Sequence, residues 1–463
     1  MIERPAGLLR PRTRRLARRP AGRSPGPATR PPRDLAAVPE GRGGSRDPVL
    51  ALARALLYGG LVLVSLMVLR VGGGITAGDV VLLASLALCL AAVGRPPTPH
   101  PYGAWALPAA LLLVVGGCLA AAGSPAPAES LVSLVRVLYV ALALPWQLAV
   151  LLDDERRLRR GLLSFGVGAA LCALGALVQF ALGPGAIPGG VVTTAGRYTG
   201  FTGHVSDTGA IASLAVVIGL SGLTRGLGRL QRLLLVGVAV SGIVGLVLSG
   251  SVSGMLAAVL GSAALLLLRG IPVGRVAVAA VVAGAALWFA GGVLGETQGA
   301  LRPAERVKQV LGLSGGDASL NTSASRWDTI VLGWRGFLQD PISGAGLDAR
   351  SSLVVDTLGV HSLPVAALYQ GGIVFAAGLL GCLVAAVVRA ARTVPRTGLQ
   401  ARVYAVGVTA LAFSATAPSL YNRYLWVPVA LVAAAVALGP GRDAAGASGA
   451  AGLTARRRAP ARP

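Results

Sequence analysis

The chain reads as an all-α, polytopic helical membrane protein of about twelve transmembrane helices, with a large extracytoplasmic loop between helices 9 and 10. Three observations predict this class. Of its 463 residues, 54% are hydrophobic and only 13% are charged, too few charges to cover the surface of a soluble protein of this length. Its mean hydropathy is +0.71. The apolar residues also recur in long blocks along the whole chain, and about 20 such residues cross a bilayer as a helix.

Taken in order, residues 1–48 are rich in Arg, Pro and Gly and read as a disordered basic cytoplasmic tail. The first apolar block lies too far in for a simple cleaved signal peptide, so it reads as an uncleaved first span. Twelve spans are expected at 49–69, 78–94, 106–123, 131–152, 161–183, 207–224, 233–249, 252–268, 276–294, 362–389, 402–418 and 424–439. Together they form one transmembrane domain, residues 49–439. The tenth block accommodates a short helix, a break at Gly371–Gly372 and then the main span. Residues 440–463 form a second disordered basic cytoplasmic tail.

The net charge of +24 suggests nucleic acid in a soluble protein, but its distribution excludes that partner here. Twelve arginines lie in residues 1–47, and the loops "DDERRLRR", "RGLGRLQR", "RGIPVGR" and "RAARTVPRTGLQAR" each carry two or more. These are cytoplasmic loops under the positive-inside rule. The expected outer loops are 70–77, 124–130, 184–206, 250–251, 295–361 and 419–423. In the longest, six basic residues (Arg302, Arg306, Lys308, Arg326, Arg335, Arg350) stand against seven acidic ones. Both termini are therefore expected in the cytoplasm, with the two longest loops, 184–206 and 295–361, outside. Cys89, Cys118, Cys172 and Cys382 fall in apolar blocks without metal-ligand spacing and read as packing residues.

Chemistry-bearing residues gather in those two loops. "GRYTGFTGHVSDTG", residues 196–209, places Arg197 and His204 at the start of the sixth span, with Ser206 or Asp207 as its cap. Free N–H groups, a helix dipole and an arginine favour an anion; a plain capped helix start with an arginine reaching lipid phosphate uses the same residues. "NTSASRWDTIVLGWRGFLQDPISGAG", residues 321–346, predicts a helix capped by Ser323 or Ser325. Trp327, Ile330, Val331, Trp334, Phe337 and Leu338 form an apolar stripe that lies flat at the membrane surface. Arg326, Thr329, Gly333 and Gly336 form a second, small-residue face open to a ligand or another backbone. In "LGVHSLPVAALYQGG", residues 358–372, Ser362 caps a helix with Pro364 in its first turn, and His361 sits at its positive end, which lowers an imidazole pKa. Asp340, Asp348 and Asp356 match no metal-ligand motif and read as solvated loop residues. Arg136, inside the fourth block, is either a paired deep charge or one that snorkels outward.

In this order, Arg197-Tyr198-Thr199-Gly200, His204-Val205-Ser206, "LSGSVSG" at 248–254, Arg326, "DPISGAG" at 340–346, His361-Ser362 and Gly371-Gly372 resemble the segments of the O-antigen ligase/polymerase family. Val252 stands where that family carries an arginine, and Ser362 where it carries an asparagine. The resemblance implies a membrane glycosyltransferase of the bacterial cytoplasmic membrane. Such an enzyme moves a glycan from a polyprenyl-pyrophosphate carrier to a glycan, lipid or protein acceptor hydroxyl on the outer side, in cell-surface polysaccharide assembly. A repeat-unit polymerase of the same family and a lipid-linked glycan transporter or flippase are the alternatives. The implied catalytic residues are His361, Arg326 and Arg197; His204, Ser206, Asp207, Arg335 and Ser362 are the implied substrate contacts. No cofactor and no metal are implied, and the surrounding lipids complete the expected partners.

Overall fold

The computed structural model describes residues 48–72, 74–93, 100–193, 196–223, 227–269, 322–355, 358–393, 397–417 and 420–439. Both expected tails, the expected span at 276–294 and the first part of the long loop, with Arg302, Arg306 and Lys308, lie outside the described residues, as does Asp356. The described chain is mostly helical. Its helices are α1 (Pro48–Leu63), α2 (Ala77–Val93), α3 (Ala106–Gly123), α4 (Pro127–Leu138), α5 (Leu144–Leu151), α6 (Glu155–Leu182), α7 (Val205–Leu220), α8 (Arg229–Ser249) and α9 (Val252–Arg269). After the long loop come α10 (Thr322–Gln339), α11 (Leu363–Arg392), α12 (Gly398–Ser414) and α13 (Arg423–Ala437). Two short antiparallel hairpins, β1 (Arg70–Gly72) with β2 (Ile75–Thr76) and β3 (Leu353–Val355) with β4 (Leu358–Gly359), were not legible in the apolar pattern.

Every expected span within the described residues contains helix, though the first helix ends at Leu63 rather than at residue 69. Helices α4 and α5 make one continuous rod through a π-helical turn, Tyr139–Ala143. Among the described residues, five helical stretches are long and apolar enough to cross a membrane: Gly103–Gly123, Pro127–Leu151, Glu155–Leu182, Arg229–Ser249 and Leu363–Arg392. Leu107, Leu182, Leu230 and Leu267 are each more than three-quarters exposed. An exposed apolar surface of this kind requires a lipid-like neighbour. Inside the bundle, helices approach closely through small residues, as in other membrane bundles. A Cβ at Gly116 of α3 would collide with the Phe375 backbone of α11, and one at Gly378 would lie 2.8 Å from the Leu113 nitrogen.

The connections expected on the outer side meet one another at one end of the bundle. The Val68 N–H donates to the Phe201 carbonyl (2.9 Å) and the Tyr198 N–H to the Leu248 carbonyl (3.1 Å). The Leu347 N–H donates to Ser130 Oγ (3.1 Å). At the same end, Thr76 and Asp79 form a reciprocal cap on α2. The carboxylate accepts from the Thr76 N–H (2.8 Å), and Thr76 Oγ1 accepts from the Asp79 N–H (3.3 Å). The buried Asp79 also receives Arg423 bidentately, Nε to Oδ1 at 2.5 Å and Nη2 to Oδ2 at 2.7 Å, which clamps the starts of α2 and α13 together.

Helix α11 breaks where expected. Gly372 has φ 68° and ψ −178°, a conformation open to glycine alone, and divides the helix into arms at 363–371 and 373–392. A break frees backbone groups that an apolar setting cannot leave unpaired. The turn after α10 supplies the partners. The Ala345 and Gly346 N–H groups donate to the Tyr369 and Gln370 carbonyls (2.8 and 2.9 Å), and the Ile373 N–H donates to the Pro341 carbonyl (2.8 Å). A Cβ on Gly344 would lie 2.6 Å from the Gly372 nitrogen, so the turn fits only as glycine.

Two outcomes test this frame. Gly372→Ala adds a Cβ that collides with the Ile342 carbonyl in a conformation costing about 1–3 kcal/mol by itself; the expected result is a clearly lowered unfolding midpoint in detergent. Arg423→Ala strands a buried carboxylate and is expected to destabilise by about 3–5 kcal/mol. An Asp79→Leu/Arg423→Leu double variant should lose less than the two single changes summed, which denaturant titration of all three will measure.

Candidate functional site

The loop 184–206 is held at this end of the bundle by buried polar contacts. Gln179 Oε1 of α6 accepts from the Gly200 N–H (2.6 Å), and Thr208 Oγ1 donates to the Thr199 carbonyl (2.5 Å). A tight turn, in which the Thr193 N–H donates to the Arg197 carbonyl (3.0 Å), presents the Arg197 side chain. Its Nε donates to the Ser249 carbonyl at 2.6 Å, placing a cation on the negative end of α8. The cap of α7 differs from expectation. His204 occupies the cap position and its Nδ1 accepts from the Ser206 N–H at 3.3 Å. The exposed imidazole replaces the expected Ser206 or Asp207 side chain because the helix begins two residues before the expected 207, at Val205. Ser206 therefore contributes its N–H to the cap. Asp207 turns away and accepts from the Tyr424 hydroxyl, so it joins α7 to α13 rather than lining an open anion site.

The segment 248–254 makes the turn between α8 and α9. Gly250 is left-handed, and Ser251 Oγ accepts from the Gly254 N–H (3.2 Å) to cap α9. Arg326 Nη1 donates to Ser253 Oγ at 3.4 Å. Arg197 and Arg326, far apart in sequence, are thus both hydrogen-bonded to the one turn 249–253.

Helix α10 starts at Thr322, so Ser323 and Ser325 lie inside it rather than capping it. It runs alongside the first arm of α11 and packs through the small-residue face. Gly333 accommodates Val360 and Val365, and Gly336 receives the Tyr369 ring. The tryptophan side faces outward, with Trp327 64% and Trp334 46% exposed. Phe337, expected on that stripe, is instead buried, because it follows Gly336 round onto the α11 side. Arg335 is exposed and stands nine residues, half a turn of the helical wheel, from Arg326. The structure therefore does not bring the expected Arg335 contact into the site. Ser362 has the extended backbone of a cap residue, with Pro364 in the first turn as expected, but its hydroxyl makes no capping bond.

Thr329, buried on the inner face of α10, meets His361. Its Oγ1 lies 3.2 Å from His361 Nδ1 and accepts from the His361 N–H at 3.3 Å. Burial pushes the His361 pKa down to about 4, aided by the Arg326 guanidinium and by His204, while the Gly359 carbonyl opposes the shift. The imidazole is therefore neutral at pH 7 and able to take a proton. Because this value lies below the unfolded one of about 6.5, the folded chain binds fewer protons, and His361 withdraws stability as pH falls from there toward 4.

A further expectation changes. Asp348 is fully buried rather than solvated. Ser124 Oγ (2.7 Å), Ser351 Oγ (2.5 Å) and the Arg350 and Ser351 N–H groups (both 2.9 Å) all donate to it. Burial pushes its pKa up, but the Ser351 and Ser124 hydroxyls and the two N–H groups outweigh that and hold it below the usual carboxylate range. The Arg136 guanidinium lies 5.7 Å from the centroid of the Tyr421 ring and beside Gly74. Asp79, Arg423 and Tyr424 escaped the sequence reading, although Thr76-x-x-Asp79 ahead of an apolar run is a visible capping pattern. Among the described residues, no three His, Cys, Asp or Glu side chains converge as metal ligands.

What converges is Arg326, Thr329, His361 and Ser253, with Arg197 on the same turn and His204 close enough to act on His361 electrostatically. This group combines cations, a neutral imidazole and hydroxyls, and it suits an anion undergoing proton-coupled chemistry. No protein-family model matches the chain, and no curated protein matches it.

The electrostatic link is open to direct measurement. Arg326→Gln removes the second-largest cause of the depressed pKa, so the His361 titration, followed by NMR of histidine-labelled protein, is expected to move upward from about 4 toward the ordinary value.

Proposed function

We propose that the protein is a glycosyltransferase of the bacterial cytoplasmic membrane, O-antigen ligase-like. In this reading it crosses the membrane about twelve times with both termini cytoplasmic, and the end bearing Arg326 and His361 faces outward. It transfers a glycan from a polyprenyl-pyrophosphate carrier to an acceptor hydroxyl. The observation that carries the reading is the meeting of Arg326 with His361 through Thr329, beside a turn that also holds Arg197.

The chemistry follows from charge. The bond between the anomeric carbon and the pyrophosphate oxygen breaks, and its electron pair leaves on that oxygen. Arg326 and Arg197 stabilise the growing negative charge. The acceptor oxygen bonds to the anomeric carbon while its proton passes to the neutral His361. The exposed apolar side of α10 suits the prenyl chain.

A broken helix such as α11 is also a transporter feature. In transporters the freed backbone groups coordinate cargo; here the 341–346 turn pairs with them, which supports the enzyme reading.

Purified protein given a lipid-pyrophosphate oligosaccharide and an acceptor is expected to release prenyl pyrophosphate. Arg326→Ala and His361→Ala should each reduce release by at least about 100-fold with normal membrane insertion. Near-normal release in both variants refutes the assignment.

A further inference from the structure

We propose that Thr329 is a positioning residue for His361: its hydroxyl holds the ring in the Nδ1–H tautomer and leaves the lone pair on Nε2. The inference rests on reading His361 as a proton acceptor, and it follows from counting the hydrogens on one oxygen. A threonine hydroxyl has one proton and two lone pairs. Thr329 Oγ1 lies 2.7 Å from the Arg326 carbonyl. A carbonyl only accepts, so this short bond, the common back-bond of a helical threonine, uses the single proton.

The two remaining contacts must then be accepted by Oγ1. One comes from the His361 main-chain N–H at 3.3 Å, which only donates. The other is His361 Nδ1 at 3.2 Å, which must bring its own proton. A neutral imidazole carries one ring proton, and the Gly359 carbonyl beside the ring also only accepts; with that proton on Nδ1, Nε2 is left as the acceptor. Thr329 is 1% exposed, so water does not compete for its oxygen.

The same oxygen joins the carbonyl of Arg326 to the backbone and ring of His361. One hydroxyl thereby sets both the spacing of the cation from the base and the face the base presents. The opposite tautomer would offer a donor at Nε2 and could not take the acceptor's proton there. Gly333, one turn further along α10, permits this approach because Val360 and Val365 fill the space a larger side chain would occupy.

The test uses full-length protein labelled with nitrogen-15 histidine in detergent, with the His361 ring assigned by loss of its signals in His361→Gln. Long-range proton–nitrogen correlation reports which nitrogen is protonated. The expected result is Nδ1–H with a bare Nε2 in the wild type and in Thr329→Ser. In Thr329→Val, which keeps the shape without the hydroxyl, this preference should be lost. Turnover of the lipid-linked donor should fall at least about tenfold in Thr329→Val, with KM nearly unchanged, and Thr329→Ser should restore it. A wild-type ring protonated at Nε2, or a tautomer unchanged in Thr329→Val, overturns the proposal. If Thr329→Val does not fold, the wild-type and Thr329→Ser spectra decide alone. A wild type with the Nδ1–H signature but no glycan transfer would sink the functional reading and leave the tautomer assignment standing; an active wild type protonated at Nε2 would do the reverse.

Discussion

Backbone polar groups in an apolar bundle must find partners, and the break at Gly372 makes that requirement acute. The turn 341–346 pairs with two carbonyls, of Tyr369 and Gln370, and with the Ile373 N–H beside the break. That pairing anchors the end of α10 against α11. With its end fixed, α10 lies along the first arm of α11, Gly333 and Gly336 allow close contact, and Arg326 and Thr329 arrive beside His361. The break is thus a docking point that positions the candidate chemistry, not a flaw in a span.

A second constraint is the conversion of charge into scaffold. Asp348, Asp79, Arg423 and Asp207 are all engaged by hydrogen bonds or ion pairs that join loops to helix starts. Arg197 is tied to the end of α8. Arginine and carboxylate groups that would be expensive in lipid are thereby gathered at one end of the bundle. The cluster around His361 lies at that same end, so the polar floor of the molecule and its candidate site share one set of supports.

Much of this was legible in the apolar pattern. The helices within the described residues, the break at Gly371–Gly372 and the small-residue face of α10 all follow from residue type at fixed spacing. Side-chain partners did not. His204 rather than Ser206 or Asp207 caps α7, because the helix begins two residues before the expected 207 and the cap moves with it. Arg335 resembles Arg326 in sequence but faces the opposite way, because the glycines alone decide which side of α10 meets α11. Asp348 reads as a polar loop residue until Ser124, more than 200 positions earlier, is seen to donate to it.

The sequence by itself determined that this chain is a helical membrane protein whose chemically versatile side chains collect in its longer connections. Periodicity and charge are local properties, and they survive in a string of letters. Only the tertiary structure decided which of those side chains meet. Hydrogen bonds act over about 3 Å between residues tens to hundreds of positions apart, and their pairing is set by how helices pack. The convergence of Arg326, Thr329 and His361 is of that second kind, and so is the tautomer that the threonine imposes.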